Sequence, residues 1–81
     1  MRATVLVRPK AGILDPQGQE VETSLRQLVF AVEDARVGRV VDLRVDTADA
    51  VEARAQLERM CEQLLANPLI ESYEIELGED A

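Results

Sequence analysis

The apolar residues of this chain switch spacing four times, from every second residue to every third or fourth and back, twice over. Strands and helices must therefore alternate. Residues 3–9 set Ala3, Val5 and Val7 on one side and Thr4, Leu6 and Arg8 on the other, the pattern of a half-buried strand. After the loop Lys10–Leu14, Asp15-Pro16 reads as a helix start, with a carboxylate cap and a proline at the first position, where a missing N–H costs nothing. Glu20 and Glu22 suit the positive end of that helix, and Val21, Leu25, Leu28 and Val32 form one apolar stripe along it.

Residues 35–46 carry Ala35, Val37, Val41, Leu43 and Val45 on one parity, interrupted by Arg39. A hairpin at Gly38-Arg39 would put Asp34 and Arg36 on the apolar face, so one continuous strand with a glycine bend is preferred. Such a strand spans about 36 Å, whereas a domain of this length is only about 30 Å across, so one end should overhang and recruit another copy of the chain. Asp46 or Thr47 is expected to cap a second helix, roughly 48–66, with Ala53, Leu57, Met60, Cys61 and Leu64 inside. Asn67-Pro68 stops it. A last strand, Leu69–Leu77, precedes a frayed acidic tail from Gly78 to Ala81. The expected fold is α+β: a small β-α-β-α-β domain with two helices on one face of a mostly antiparallel sheet, a long central strand, and an oligomeric state.

Eighty-one residues make one domain, 1–81. A chain this short buries only about 60% of its unfolded surface, which again favours a partner subunit. Nine basic against sixteen acidic residues give a net charge of -7, the wrong sign for holding phosphate backbones, and Phe30 and Tyr73 are too few to stack bases. Nucleic acid is disfavoured as a partner. No apolar run approaches the ~20 residues that span a bilayer, so a cytoplasmic protein with no membrane association is expected. With no histidine and one cysteine, metal sets and Cys-His pairs lose their support, and Cys61 reads as a buried, inert thiol. Phosphate-cradling and serine-nucleophile motifs are absent, so no catalytic residue or cofactor of its own is assigned. Glu71, Glu74 and Glu76 read as a solvated strand face.

Three segments exceed what turns and core require: Gly12-Ile13-Leu14-Asp15-Pro16-Gln17-Gly18, Arg36-Val37-Gly38-Arg39, and Leu64-Leu65-Ala66-Asn67-Pro68-Leu69-Ile70-Glu71-Ser72-Tyr73. In this order and spacing, from Val5 to Ile75, the chain closely resembles the PurS family, the small subunits of phosphoribosylformylglycinamidine synthase. In that family G-[IV]-L-D-P-Q-G opens the first helix, V-R-V-G-K precedes the second, and L-L-A-N-P-x-I-E-x-Y enters the last strand. Two departures stand out. Arg39 replaces the family's lysine, exchanging a point-like ammonium for a planar guanidinium. The first helix ends Leu28-Val29-Phe30 where the family commonly has Leu-Gly-aromatic.

The resemblance implies a non-catalytic subunit of a purine-biosynthetic ligase complex, bridging the synthetase subunit PurL and the glutaminase subunit PurQ and supporting ammonia transfer between them. ATP and magnesium would be used by the complex through PurL, and the chain would be a homodimer or higher homo-oligomer. An ACT-like module binding a small regulatory molecule is the alternative. Asp15, Pro16, Gln17, Gly18, Gly38, Arg39 and Asn67 are the candidate interface residues. Gly18 would admit another backbone closely, and Arg39, a cation on an apolar parity, would meet a carboxylate or phosphate across the interface. On that reading Gly18→Ala and Arg39→Ala leave the melting temperature nearly unchanged while weakening assembly.

Overall fold

Strand β1, Arg2–Pro9, is paired on both sides in the computed structural model, which describes residues 1–78. It runs antiparallel to β2, Arg39–Arg44, from Arg2↔Arg44 to Val7↔Arg39. On its other side it meets β3, Glu71–Gly78, from Arg2↔Gly78 to Pro9↔Glu71. The helices are α1, Pro16–Gln27, and α2, Ala50–Met60, so the α+β class and the β-α-β-α-β order are as the sequence implies. No helix among the described residues is long and apolar enough to cross a membrane.

The core lies on one face of the sheet. Ala3, Val5 and Val7 of β1 pack with Val45, with Ala53 and Leu57 of α2, and with Cys61 and Ala66. Val41, Leu43, Tyr73, Ile75 and Leu77, on the same parity of the flanking strands, close around them. No α1 side chain belongs to this cluster, and the buried residue of α1 is Gly18. The helix lies instead against the returning segment 29–38, which gives a radius of gyration of 15.8 Å against roughly 12 Å for a compact domain of this length.

Several boundaries differ from the sequence reading. The strand predicted over 35–46 starts only at Arg39 and lies at the sheet edge, with β1 central instead. The Val37 amide, which would have extended the ladder, donates to the Asp15 carboxylate. The overhang expected of a strand about 36 Å long is therefore absent, and α1 with its return segment supplies the elongation. Helix α2 is capped by Asp49, whose side chain accepts from the Val51 amide, while Thr47 Oγ1 accepts from the Asp49 amide. Beyond Met60 the helix widens into a π turn, Cys61–Leu65, closed by Ala66 N–H donating to the Cys61 carbonyl. That turn moves the inner position on by one, so Ala66 is buried and the predicted core residue Leu64 is 83% exposed. Leu69 and Ile70 form a turn ahead of β3, and Gly78 ends the strand. The rest of the predicted acidic tail lies outside the described residues.

Helix α1 ends where the family's usual glycine is missing. Val29 N–H donates to the Arg26 carbonyl and Phe30 N–H to the Leu25 carbonyl, the paired bonds of a Schellman cap. Val29 completes it at φ 71°, a left-handed conformation that strains a β-branched residue by about 1–2 kcal/mol.

Candidate partner interface

The three segments singled out in the sequence meet at one end of the molecule, and residues 35–39 join them. Asp15 faces two ways: Oδ1 accepts from the Gly18 amide at 3.0 Å, capping α1, and Oδ2 accepts from the Val37 amide at 2.9 Å. These bonds, Val37's foremost, hold its carboxyl below the ordinary carboxylate range. Two places later, Arg39 grips the third segment. Its guanidinium meets Glu71 in a bidentate pair, Nη1 to Oε2 at 2.7 Å and Nη2 to Oε1 at 3.0 Å, and Nη2 also donates to the Leu65 carbonyl at 2.6 Å.

Glu71 in turn shapes the Asn67-Pro68 turn. Its Oε1 accepts from the Asn67 amide at 2.7 Å, and Asn67 Oδ1 accepts from the Leu69 amide at 3.1 Å. The Arg39 pair first, then the Asn67 amide, lowers the Glu71 carboxyl. Lys10, the residue after β1, fastens the same turn, its N–H donating to the Ile70 carbonyl at 2.8 Å and Nζ to the Pro68 carbonyl at 2.6 Å. Beside this hub, Tyr73 donates to Glu62 at 2.9 Å, and that bond pushes the phenol up to about 12.

Both glycines of the candidate set stand where backbones crowd. A Cβ on Gly18 would overlap the Ala35 carbonyl oxygen and the Asp15 carboxylate, and one on Gly38 would overlap the Val7 carbonyl oxygen. The close approach that Gly18 permits is thus made by the chain's own return segment. The carboxylate that Arg39 needs is likewise in its own chain, on the far side of β1. Pro16, Gln17 and Asn67 are exposed beside them, and Gly38 and Arg39 keep an open side. Five of the seven candidates are therefore exposed, while Asp15 and Gly18 turn inward.

Sequence reasoning missed Glu71, grouping it with Glu74 and Glu76. The signal was parity: Glu71 alternates in step with Tyr73, Ile75 and Leu77 and so shares the helix-covered face with Arg39. Lys10 and Leu65 had no such signal. An open groove of about 470 Å³ adjoins the hub, with Asp15, Glu22, Asp34 and Arg36 on its wall. No group of three residues able to hold a metal ion occurs among the described residues. Cys61 is buried, and desolvation raises its thiol pKa.

Acid should loosen the hub. Both carboxylates are lowered in the folded chain, so their contribution to stability is complete above the unfolded carboxylate pKa of about 4 and is lost as pH falls through the folded values. The urea midpoint is expected to hold steady above pH ~5 and to drop below pH ~4, less steeply in Asp15→Asn and Glu71→Gln. A wild-type slope unchanged in both variants would contradict this role.

Comparison with known proteins matches this chain to one family. The family described as "PurS: Phosphoribosylformylglycinamidine (FGAM) synthase" matches residues 2–79. The PurS subunit of Synechocystis sp. is 40% identical over 77 residues, 94% of this chain and 75% of the relative. A crystal form of Bacillus subtilis PurS superposes with a TM-score of 0.85 at 35% identity, covering 96% of this chain and 98% of the other. A chain in the structure of PurLQS from Thermotoga maritima superposes with a TM-score of 0.84 at 29% identity, covering 93% of each.

Proposed function

We propose, from the premise that this chain belongs to the PurS family of phosphoribosylformylglycinamidine synthase, that it is the accessory subunit of that enzyme in purine biosynthesis. In this role it joins the synthetase subunit PurL to the glutaminase subunit PurQ and supports ammonia transfer between them. The observation that carries the reading is the whole-length match to PurS relatives, together with the likeness to a chain in the structure of PurLQS from Thermotoga maritima. It supports an assembly subunit over a ligand-binding regulatory module. ATP and magnesium enter the reaction through PurL, the complex works in the cytoplasm, and the chain is a homodimer or higher homo-oligomer. The exposed rim of the hub, Pro16, Gln17, Gly38, Arg39 and Asn67, with Asp15 and Gly18 fixing its shape, is the surface offered to those partners.

Reconstitution tests the proposal. Purified PurL and PurQ are expected to form the amidine from glutamine and ATP only when this chain is added, and to keep ammonia-dependent activity without it. The chain alone should turn over nothing. Full glutamine-dependent activity in its absence would overturn the proposal.

A further inference from the structure

Residues 65–71 form a loop whose two ends meet on one side chain. Arg39 Nη2 donates to the Leu65 carbonyl, and the same guanidinium pairs with the Glu71 carboxylate. Inside the loop the Ile70 and Glu71 amides donate to the Asn67 carbonyl at 3.1 and 2.7 Å, and Lys10 Nζ reaches the Pro68 carbonyl. Joining a helix to a strand requires no such order, since surface loops are ordinarily mobile. The side chains on display also exceed what a turn requires. Asn67 and Pro68 suit one, but Leu69 beyond them is 83% exposed, and Ile70 is exposed as well. Leu64, just before the loop, is as exposed as Leu69 because the π turn Cys61–Leu65 carries it outward, and such turns in helices are frequent at functional sites. An apolar loop held rigid has lost its conformational freedom before a partner arrives, which favours tight docking.

We propose that this clasped loop, with Leu64 and Leu69 outward, docks a different subunit of the complex, one that presents an apolar pocket rimmed by basic side chains, and that Glu71 is the positioning residue that holds the loop in its docking form. The proposal rests on the accessory-subunit reading above and names the contact. Charge says what kind of partner fits. Residues 58–76 carry five glutamates and one arginine. Both cations that reach the loop, Lys10 and Arg39, are turned onto its own carbonyls and onto Glu71. Glu62 accepts from the Tyr73 hydroxyl, a neutral donor that leaves its charge in place. A second copy docking here about a two-fold axis would set Glu58 and Glu62 against their own counterparts, whereas a chain with Lys or Arg around its pocket is drawn to them.

Titrating this chain into PurL and PurQ, with glutamine and ATP, tests this, the half-maximal concentration of the chain reading its association. Leu69→Asp should raise that concentration at least ~10-fold, with turnover at saturation and the urea midpoint close to wild type. Val51→Asp, at a valine 79% exposed at the start of α2, should leave it within about twofold. Raising salt from about 50 to about 300 mM should weaken wild-type association, and Glu62→Gln, which keeps an acceptor for Tyr73, should flatten that dependence. Glu71→Ala should weaken association by itself yet add little to Leu69→Asp, because it acts through the loop. A residue that only stabilised the fold would add its full effect. An active complex whose half-maximal concentration is unmoved by Leu69→Asp overturns the docking contact but leaves the accessory-subunit reading standing, and that variant decides the matter even if Glu71→Ala fails to fold. Additive effects overturn the positioning role, and salt insensitivity overturns the basic rim. Wild type that supports no glutamine-dependent activity removes the accessory-subunit reading and the contact together.

Discussion

Gly38→Ala is expected to detach β2 from the sheet. The added methyl would overlap the Val7 carbonyl oxygen and stand 3.1 Å from the Val7 carbonyl carbon and 3.2 Å from Arg8 Cα. All three are backbone atoms of the central strand, and Val7 is held on its other side by pairing with Tyr73. No side chain can swing away to make room, so the chain must leave the ladder at Arg39, taking the grip on Glu71 and Leu65 with it. Losing an edge strand and its clasp together belongs with the rare single substitutions that cost about 4 kcal/mol or more. For a chain of this length that approaches the whole stability, about 4–12 kcal/mol at typical values per residue. Denaturation and amide hydrogen exchange would report it as protection lost throughout β2. A variant within ~1 kcal/mol of wild type would mean that the strand bends around the methyl at little cost.

Gly18→Ala carries an opposite sign under the two readings of this glycine. Were it only a flexible first turn, alanine would stabilise α1 by about 1 kcal/mol through helix propensity. In the structure the methyl instead meets the Ala35 carbonyl oxygen and the carboxylate that caps the helix. Overpacking of this kind costs about 1–3 kcal/mol, and here relief requires α1 to move off the return segment, which breaks the Asp15–Val37 bond. We expect a net loss, read as a melting temperature several degrees lower. This reverses the expectation, drawn from sequence, of an unchanged melting temperature. A rise would show that the two backbones separate freely.

What the sequence made legible was local chemistry. The alternation of β1 and the Asp15-Pro16 cap fall where pattern and propensity put them. What it hid were contacts between distant residues that take precedence over local pattern. Val37 has strand parity, yet its amide is claimed by a carboxylate 22 positions earlier. Arg39 was rightly read as a cation in search of an anion, but that anion lies 32 positions on, across the central strand. The turn at Cys61–Leu65 keeps helical periodicity in the letters while the backbone gains a residue, so a pattern of threes and fours assigned Leu64 to the wrong side. At Val29 the left-handed cap forms without the residue type that would announce it.

The placement of β1 at the centre of the sheet also sets the order of events when this chain is made. Its Val5-Leu6-Val7 run leaves the ribosome before either strand that pairs with it exists, since β2 starts at Arg39 and β3 at Glu71. Sheet closure must wait for pairs such as Arg2↔Gly78, and contacts so remote in sequence slow folding because a long loop has to close before any bond rewards it. During synthesis the most apolar strand is therefore the one that stays unpaired longest, and it is the segment on which holdase chaperones or misassociation would act first.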